Sequence, residues 1–289
     1  MVELPRLLHV LPATVGPVVI HGGNPATGLS GLTDLRFLAA EIIWPLTRDP
    51  LYVCCSHHVA GSFDRSRYLR RFRRCVVPNG VEPASGAVRE PRTLPAVPDG
   101  EVVLGMMARL DAIKDHVTLL HALVEVVRVV PGARLELAGS GESEAALRAL
   151  AAKLGLREKV RFLGMVTDVN AVMWGWDIFA YAATSQEGFG NAVAEALMAG
   201  LPAVVSDVAP LREVCGGAAG NVVYVPASDS QAMAAALLAL IPDLVERRRL
   251  GAAGRSHALA ELSANVFSAR YAALLEAERR RPPEARGFV

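Results

Sequence analysis

Two cations and two carboxylates mark the part of this chain best equipped for chemistry. Arg109 and Lys114 stand five residues apart in A-R-L-D-A-I-K-D, directly after an apolar run. At a turn from strand to helix such a pair can converge on one diphosphate, arginine by its planar fork and lysine as a point charge. Surface cations are ordinary at such turns too, so the pair alone does not decide. Farther along, Glu187-Gly188-Phe189-Gly190-Asn191 opens a helical stretch, and Glu195 follows Glu187 by eight positions. Gly188 and Gly190 let the backbone pass close to a ligand. The amides of Phe189, Gly190 and Asn191 would then point outward where the helix dipole favours an anion. At about 1.5 Å of rise per residue the two carboxylates stand ~10 Å apart. That separation suits a ligand with hydroxyl groups on either side of a diphosphate. The ordinary reading of Glu187 is a helix-start carboxylate that stabilises the dipole, and that of Glu195 is a surface glutamate. Yet Val193, Ala194, Ala196, Leu197 and Met198 around Glu195 predict a largely covered helix, and a covered carboxylate needs a partner.

Other reactive residue types carry weaker signals. His21 closes the run P-V-V-I-H-G-G-N. A histidine there is either structural or set beside a reacting group, and Gly22 and Gly23 lack the spacing of a helix-opening phosphate loop. Cys54, Cys55, Cys75 and Cys215 show no C-x-x-C spacing, and the adjacent pair Cys54 and Cys55 reads as small core residues in a reducing compartment. Zinc is not expected, since His57 and His58 are neighbours that would point different ways. Arg65, Arg67, Arg70, Arg71, Arg73 and Arg74 cluster. They read as a solvated helix face or as a patch meeting membrane phosphates or an anionic acceptor.

Composition narrows the classes. A net charge of +1 gives no pull toward nucleic acid, and 52% hydrophobic with 20% charged residues excludes a disordered or fibrous chain. With 289 residues the chain buries one large core or two modest ones. The first residues lack a basic leader start, and no run reaches the ~18 apolar residues of a membrane span. The expectation is a cytoplasmic protein, placed at the inner face of the membrane if the arginines meet lipid.

The elements that must position these groups are legible from Glu101 onward. Strands are expected at Glu101–Ala108, Ala133–Ala138, Val160–Leu163, Ile178–Ala182, Ala203–Ser206 and Val222–Val225. Helices are expected at Asp115–Val130, Glu142–Leu154, Val169–Trp176, Asn191–Ala199 and Ser230–Leu240, with two more between Leu244 and Arg281. Alternation with strands this apolar predicts a parallel sheet covered on both faces, doubly wound by right-handed crossovers. Upstream, Pro17–His21, Leu51–Ser56 and Cys75–Pro78 read as strands and Leu35–Pro45 as a helical stretch. The Pro- and Gly-rich segment 83–100 reads as a linker.

The ordered set of motifs resembles family-4 retaining glycosyltransferases of the GT-B fold. Glu187–Glu195 with the following A-L-M-A-G-L-P-A-V-V-S-D is similar to that family's E-x7-E region. Pro78-Asn79-Gly80-Val81 resembles its interdomain PNGV, and Met107–Lys114 resembles its GRL-x-x-x-K, with Ala108 in place of the first glycine. Leu137–Glu142 and Val160–Asp168 resemble its next two strand ends. The resemblance implies an α/β chain of GT-B type, with a complete C-terminal Rossmann-like doubly wound domain and a partial N-terminal Rossmann-like domain. Residues 1–82 would form the partial acceptor-side domain, 83–100 the linker and 101–258 the donor domain, with a C-terminal helix at 259–289 packing back toward the first domain.

The same resemblance implies a nucleoside-diphosphate sugar as donor, no metal and no separate cofactor. Transfer would go to a glycolipid, polysaccharide or small-molecule acceptor, with retained configuration. Arg109 and Lys114 would bind the diphosphate. Glu187 would hold sugar hydroxyls beside Gly188, Phe189, Gly190 and Asn191, and Glu195 would accept the ribose hydroxyls. Met165 and Val166 would meet the base through their main chain, and His21 would lie beside the reacting sugar. Ala108 would crowd the approach to the phosphates slightly. Only about twenty residues precede His21, fewer than the family's first domain has there. The expectation is therefore a shortened chain, and a non-catalytic nucleotide-sugar-binding protein is the alternative. A nucleotide-sugar epimerase on a related scaffold is disfavoured by the Glu187–Glu195 arrangement.

Overall fold

The computed structural model describes residues 19–22, 51–65, 70, 72–83, 101–217 and 220–281. The expected helical stretch at Leu35–Pro45, the linker from residue 84 to 100, and Pro17, Val18, Gly23, Arg67 and Arg71 lie outside them. The chain divides into two compact units, one of Met1–Pro78 with Phe267–Val289, the other of Asn79–Val266.

In the first unit β1 (Val19–Gly22), β2 (Leu51–Cys54) and β3 (Arg73–Val76) form a parallel sheet in that order. A short helix α1 (His57–Ser62) follows β2, its start capped by the Ser56 hydroxyl, which accepts the Val59 amide. His21 pairs with Val53 and Val53 with Cys75, so the three side chains share one face of the sheet. Cys54 and Cys55 are fully buried, as expected of small core residues.

The arginine cluster corrects the expectation of a helix face. Arg73 and Arg74 lie on β3, which begins two residues ahead of the expected strand. Alternation sends them to opposite faces, and each finds its own carboxylate. Arg73 donates to Glu278 at 3.0 Å, and Arg74 pairs with Asp64. Two neighbouring like charges fit one short strand because each is neutralised on its own side.

The second unit is built on a six-stranded parallel sheet of β4 (Val102–Met107), β5 (Ala133–Ala138), β6 (Val160–Gly164), β7 (Ile178–Tyr181), β8 (Ala203–Ser206) and β9 (Val223–Val225). Their order is β6-β5-β4-β7-β8-β9. The chain starts in the middle, winds outward to β6, returns beside β4 and winds the other way: the doubly wound arrangement the alternation predicts. Every residue of β7 and β8 is buried, which is why these runs are apolar at successive positions. The connecting helices are α2 (His116–Val129), α3 (Glu144–Lys153), α4 (Val169–Met173), α5 (Asn191–Met198), α6 (Ala209–Val214) and α7 (Ser230–Leu240). Asp115, Asp168 and Asp229 cap α2, α4 and α7 by accepting the amide three residues on, which fixes where those helices begin.

Two further helices, α8 (Leu244–Glu261) and α9 (Ala264–Arg280), complete the described chain. Helix α8 lies tight against the end of α5. A Cβ on Gly251 would come within 2.3 Å of the Gly200 carbonyl oxygen, so the approach needs glycine there. Arg255 also donates to the Met198 carbonyl and satisfies an end group of α5. Val81 bridges the α8–α9 junction, its amide donating to Leu262 and its carbonyl accepting from Ala264. Within the first unit, α9 supplies Glu278 to Arg73 and Tyr271 to His21.

Candidate functional site

The strand order reverses between β4 and β7, and in open parallel sheets ligands bind beyond the carboxyl ends of strands at such a switch point. The chain leaving β4 carries Arg109, Asp111 and Lys114, and the chain leaving β7 carries Glu187. The structure brings these two loops together. Thr184 donates its amide to the Ile113 carbonyl at 2.9 Å. Lys114 forms an ion pair with Glu187. Glu187 is 5% exposed, so the pair is held largely out of water.

Tyr181, the last residue of β7, completes a triangle. Its hydroxyl accepts from Lys114 Nζ at 2.8 Å and donates to Glu187 Oε2 at 2.9 Å. The other carboxylate oxygen, Oε1, accepts the Gly188 amide at 3.0 Å. Burial above all, then the adjacent Glu187 charge and its hydrogen bond, hold the Tyr181 pKa well above the usual phenol value. The hydroxyl thus remains a donor to Glu187. Arg109 acts on the same phenol in the opposite sense, so its charge belongs to the same cluster.

Asp111 organises the cationic side. One oxygen accepts the amides of Ile113 and Lys114 at 3.1 and 3.2 Å, and the other meets Arg109 Nη2 at 2.8 Å. The Arg109 side chain is 70% exposed, whereas that of Lys114 is 13% exposed. One cation is thereby fixed and the other presented to solvent.

Beyond Glu187 the backbone turns into α5. Gly190 caps that helix at φ 91°, a left-handed conformation that favours glycine, and no side chain caps the helix start. A Cβ at Gly190 would also lie 2.6 Å from Leu211 Cδ2. Phe189 is buried, and exposed Asn191 accepts a hydrogen bond from Asn79 Nδ2 at 2.8 Å. Glu195, one turn farther along α5, is half-buried. Burial alone raises its pKa, with no neighbouring charge or hydrogen bond contributing. Met165, which is 78% exposed, and half-buried Val166 follow the end of β6 on the same carboxyl edge of the sheet. His21 belongs to the other unit. It is exposed, with Nδ1 3.3 Å from the Tyr271 hydroxyl and its ring against Phe267.

The sequence reading missed Tyr181 and Asp111. Tyr181 sits inside the apolar run I-F-A-Y-A-A, where its hydroxyl is the only side-chain hydrogen-bonding group, and it lies at a strand end where ligands bind. That combination was the available signal. Asp111 precedes Lys114 by three residues, a spacing at which an aspartate can accept the backbone amides of its own turn.

Residues 90–257 match the family described as Glycosyl transferases group 1. A GDP-mannose-dependent monoacylated alpha-(1-6)-phosphatidylinositol monomannoside mannosyltransferase of Corynebacterium glutamicum is 32% identical over 190 residues, covering 63% of this chain and 49% of that protein. The phosphatidyl-myo-inositol mannosyltransferase of Mycobacterium leprae is 38% identical over 158 residues, covering 54% of this chain and 41% of that one. The chain thus spans about half the length of the curated relatives it matches. Among solved structures, Anabaena HepE in complex with UDP and glucose superposes with a TM-score of 0.74 at 20% identity, over 90% of this chain and 72% of that one. Sucrose-phosphate synthase from Thermosynechococcus elongatus gives 0.68 at 20% identity, over 86% and 63%.

Proposed function

Because the chain belongs to the family Glycosyl transferases group 1, we propose that it binds a nucleoside-diphosphate sugar and transfers the sugar to an acceptor with retained configuration. The fold is of GT-B type, with a small N-terminal parallel sheet and a larger C-terminal Rossmann-like sheet. One observation carries the proposal: a buried Lys114–Glu187 pair at the switch point, directly ahead of the start of α5, which no side chain caps.

In this reading the diphosphate sits at the start of α5, where backbone amides and the dipole favour it. Lys114 and exposed Arg109 meet the negative charge that builds on the diphosphate as the glycosidic bond breaks. Glu187 and the Gly188–Asn191 backbone hold the sugar, while Glu195 accepts the ribose hydroxyls. The main chain at Met165 and Val166 lies beside the base, and His21 serves the acceptor side. Just past β4, the Ala108 amide pairs with the Ala138 carbonyl at 2.9 Å.

GDP-mannose is the first donor to test, because the relatives include a GDP-mannose-dependent enzyme. Phosphatidylinositol is the first acceptor, for the same reason. No described helix is long and apolar enough to cross a membrane. Arg65 and Arg70, exposed members of the arginine cluster, are the groups proposed to touch anionic lipid at the inner face of the membrane. The test is sugar transfer from GDP-mannose, with UDP-glucose and ADP-glucose in parallel, to phosphatidylinositol vesicles. Product of unchanged anomeric configuration by NMR is expected. An inverted product would overturn the retaining mechanism, and donor binding without turnover would favour the non-catalytic alternative.

A further inference from the structure

We infer that Tyr181 is a positioning residue that lets Lys114 be shared between Glu187 and a bound diphosphate. The inference rests on the proposed donor site and goes one step further into it.

Lys114 faces two demands. Without donor its ammonium neutralises Glu187, whose side chain is 6% exposed. With donor, the same ammonium must turn toward phosphate oxygens. A buried carboxylate is strongly disfavoured once its cation turns away, unless other donors hold it. Among the described residues, two donors besides Lys114 reach Glu187: the Gly188 amide on Oε1 at 3.0 Å and the Tyr181 hydroxyl on Oε2 at 2.9 Å. The amide is part of the chain. Tyr181 is the replaceable one, and its hydroxyl touches both members of the pair.

The placement of Tyr181 suits this work. Its side chain is almost wholly buried, and its ring stacks on Phe179 at 5.7 Å with Phe179 in turn against Trp176. The hydroxyl is therefore held by a rigid stack on the strand. A phenol carries a single proton and two acceptor sites. It donates that proton to Glu187 and accepts from Lys114. When the ammonium swings toward phosphate, the donation to Glu187 persists and keeps the carboxylate hydrogen-bonded. The acceptor site toward Lys114 also tethers the ammonium near its starting position, which limits the search for the phosphate.

Tyr181→Phe keeps the ring and removes the hydroxyl. Calorimetric titration of the full chain with GDP, UDP and ADP, and with the matching monophosphates, reads the effect. The bound diphosphate is expected to weaken about tenfold, while the monophosphate changes less than about twofold. The sharper readout is the coupling to Lys114, because lost packing would weaken binding whether or not the lysine is present. A second variant, Lys114→Met, supplies the control. Adding Tyr181→Phe to it should cost no further diphosphate affinity, since the shared group is already gone. Equal affinities in wild type and Tyr181→Phe, or the same loss when Tyr181→Phe is added to Lys114→Met, would overturn this inference and leave the donor site standing. Failure of the wild-type chain to bind any diphosphate would overturn both.

Discussion

Each of the two sheets offers a candidate reactive residue with a tyrosine hydroxyl beside it, and the two are held in opposite ways. In the three-stranded sheet, exposed His21 meets Tyr271 at 3.3 Å, and Tyr271 comes from a helix packed on the sheet face. In the six-stranded sheet, Lys114 meets Tyr181 at 2.8 Å, and Tyr181 is part of the sheet and almost wholly buried. Position near a strand end is common to both. What separates them is desolvation. Lys114 and Glu187 form a pair held largely out of water, whereas His21 is exposed. A residue built to act on a ligand before that ligand arrives belongs to the first kind.

The contrast breaks most readily at Lys114. Lys114→Met strands Glu187 without its cation, and about 3 kcal/mol of stability should go, together with about a hundredfold in nucleoside-diphosphate affinity. Denaturant unfolding and calorimetry check the two effects, and a stable variant with unchanged affinity would show that the pair is ornamental. Gly251→Ala is the next largest. The new Cβ meets the Gly200 carbonyl, pushes α8 away from α5 and should cost about 2 kcal/mol, with donor affinity falling because α5 moves.

Glu195→Gln sharpens the account of the helix itself. Loss of a charged acceptor for ribose hydroxyls should lower affinity about tenfold. Because burial raises the Glu195 pKa, wild-type affinity should fall on acidification earlier than an ordinary carboxylate would allow, and the variant should lack that acid limb. The stability sign is opposite. A carboxyl whose folded pKa lies above its unfolded value supports the fold below the unfolded value and loses that support as pH rises through the folded one. The advantage of wild type over Glu195→Gln in melting temperature should therefore shrink across that window. The smallest effect is expected at the other sheet, where His21→Ala should change diphosphate affinity less than about twofold. A tenfold loss there would erase the distinction drawn between the two regions.

Much of the larger sheet was legible because its strands are short apolar runs closed by strong helix signals. The strands Ala133–Ala138 and Ala203–Ser206 and the helix Ser230–Leu240 fall where the periodicity puts them. Helix Ala209–Val214 was missed, since six residues with a proline in the first turn carry too little period to read. Strand Arg73–Val76 was displaced because two adjacent arginines look like a helix surface until their carboxylate partners, ten and more than two hundred residues away, are known. The site followed the same rule. Lys114 and Glu187 are visible as charges at strand ends, but their pairing depends on β7 lying next to β4, a neighbour relation that the strand order supplies and local pattern does not.

The central claim is that a diphosphate binds at the start of α5 and takes Lys114 as its cation. Its most direct test is paired isothermal titration of the wild-type and Lys114→Met chains with GDP, UDP and ADP. The account predicts saturable binding of at least one nucleotide to wild type and a loss of about a hundredfold in the variant. Undiminished binding to the variant, or none to wild type, would contradict it.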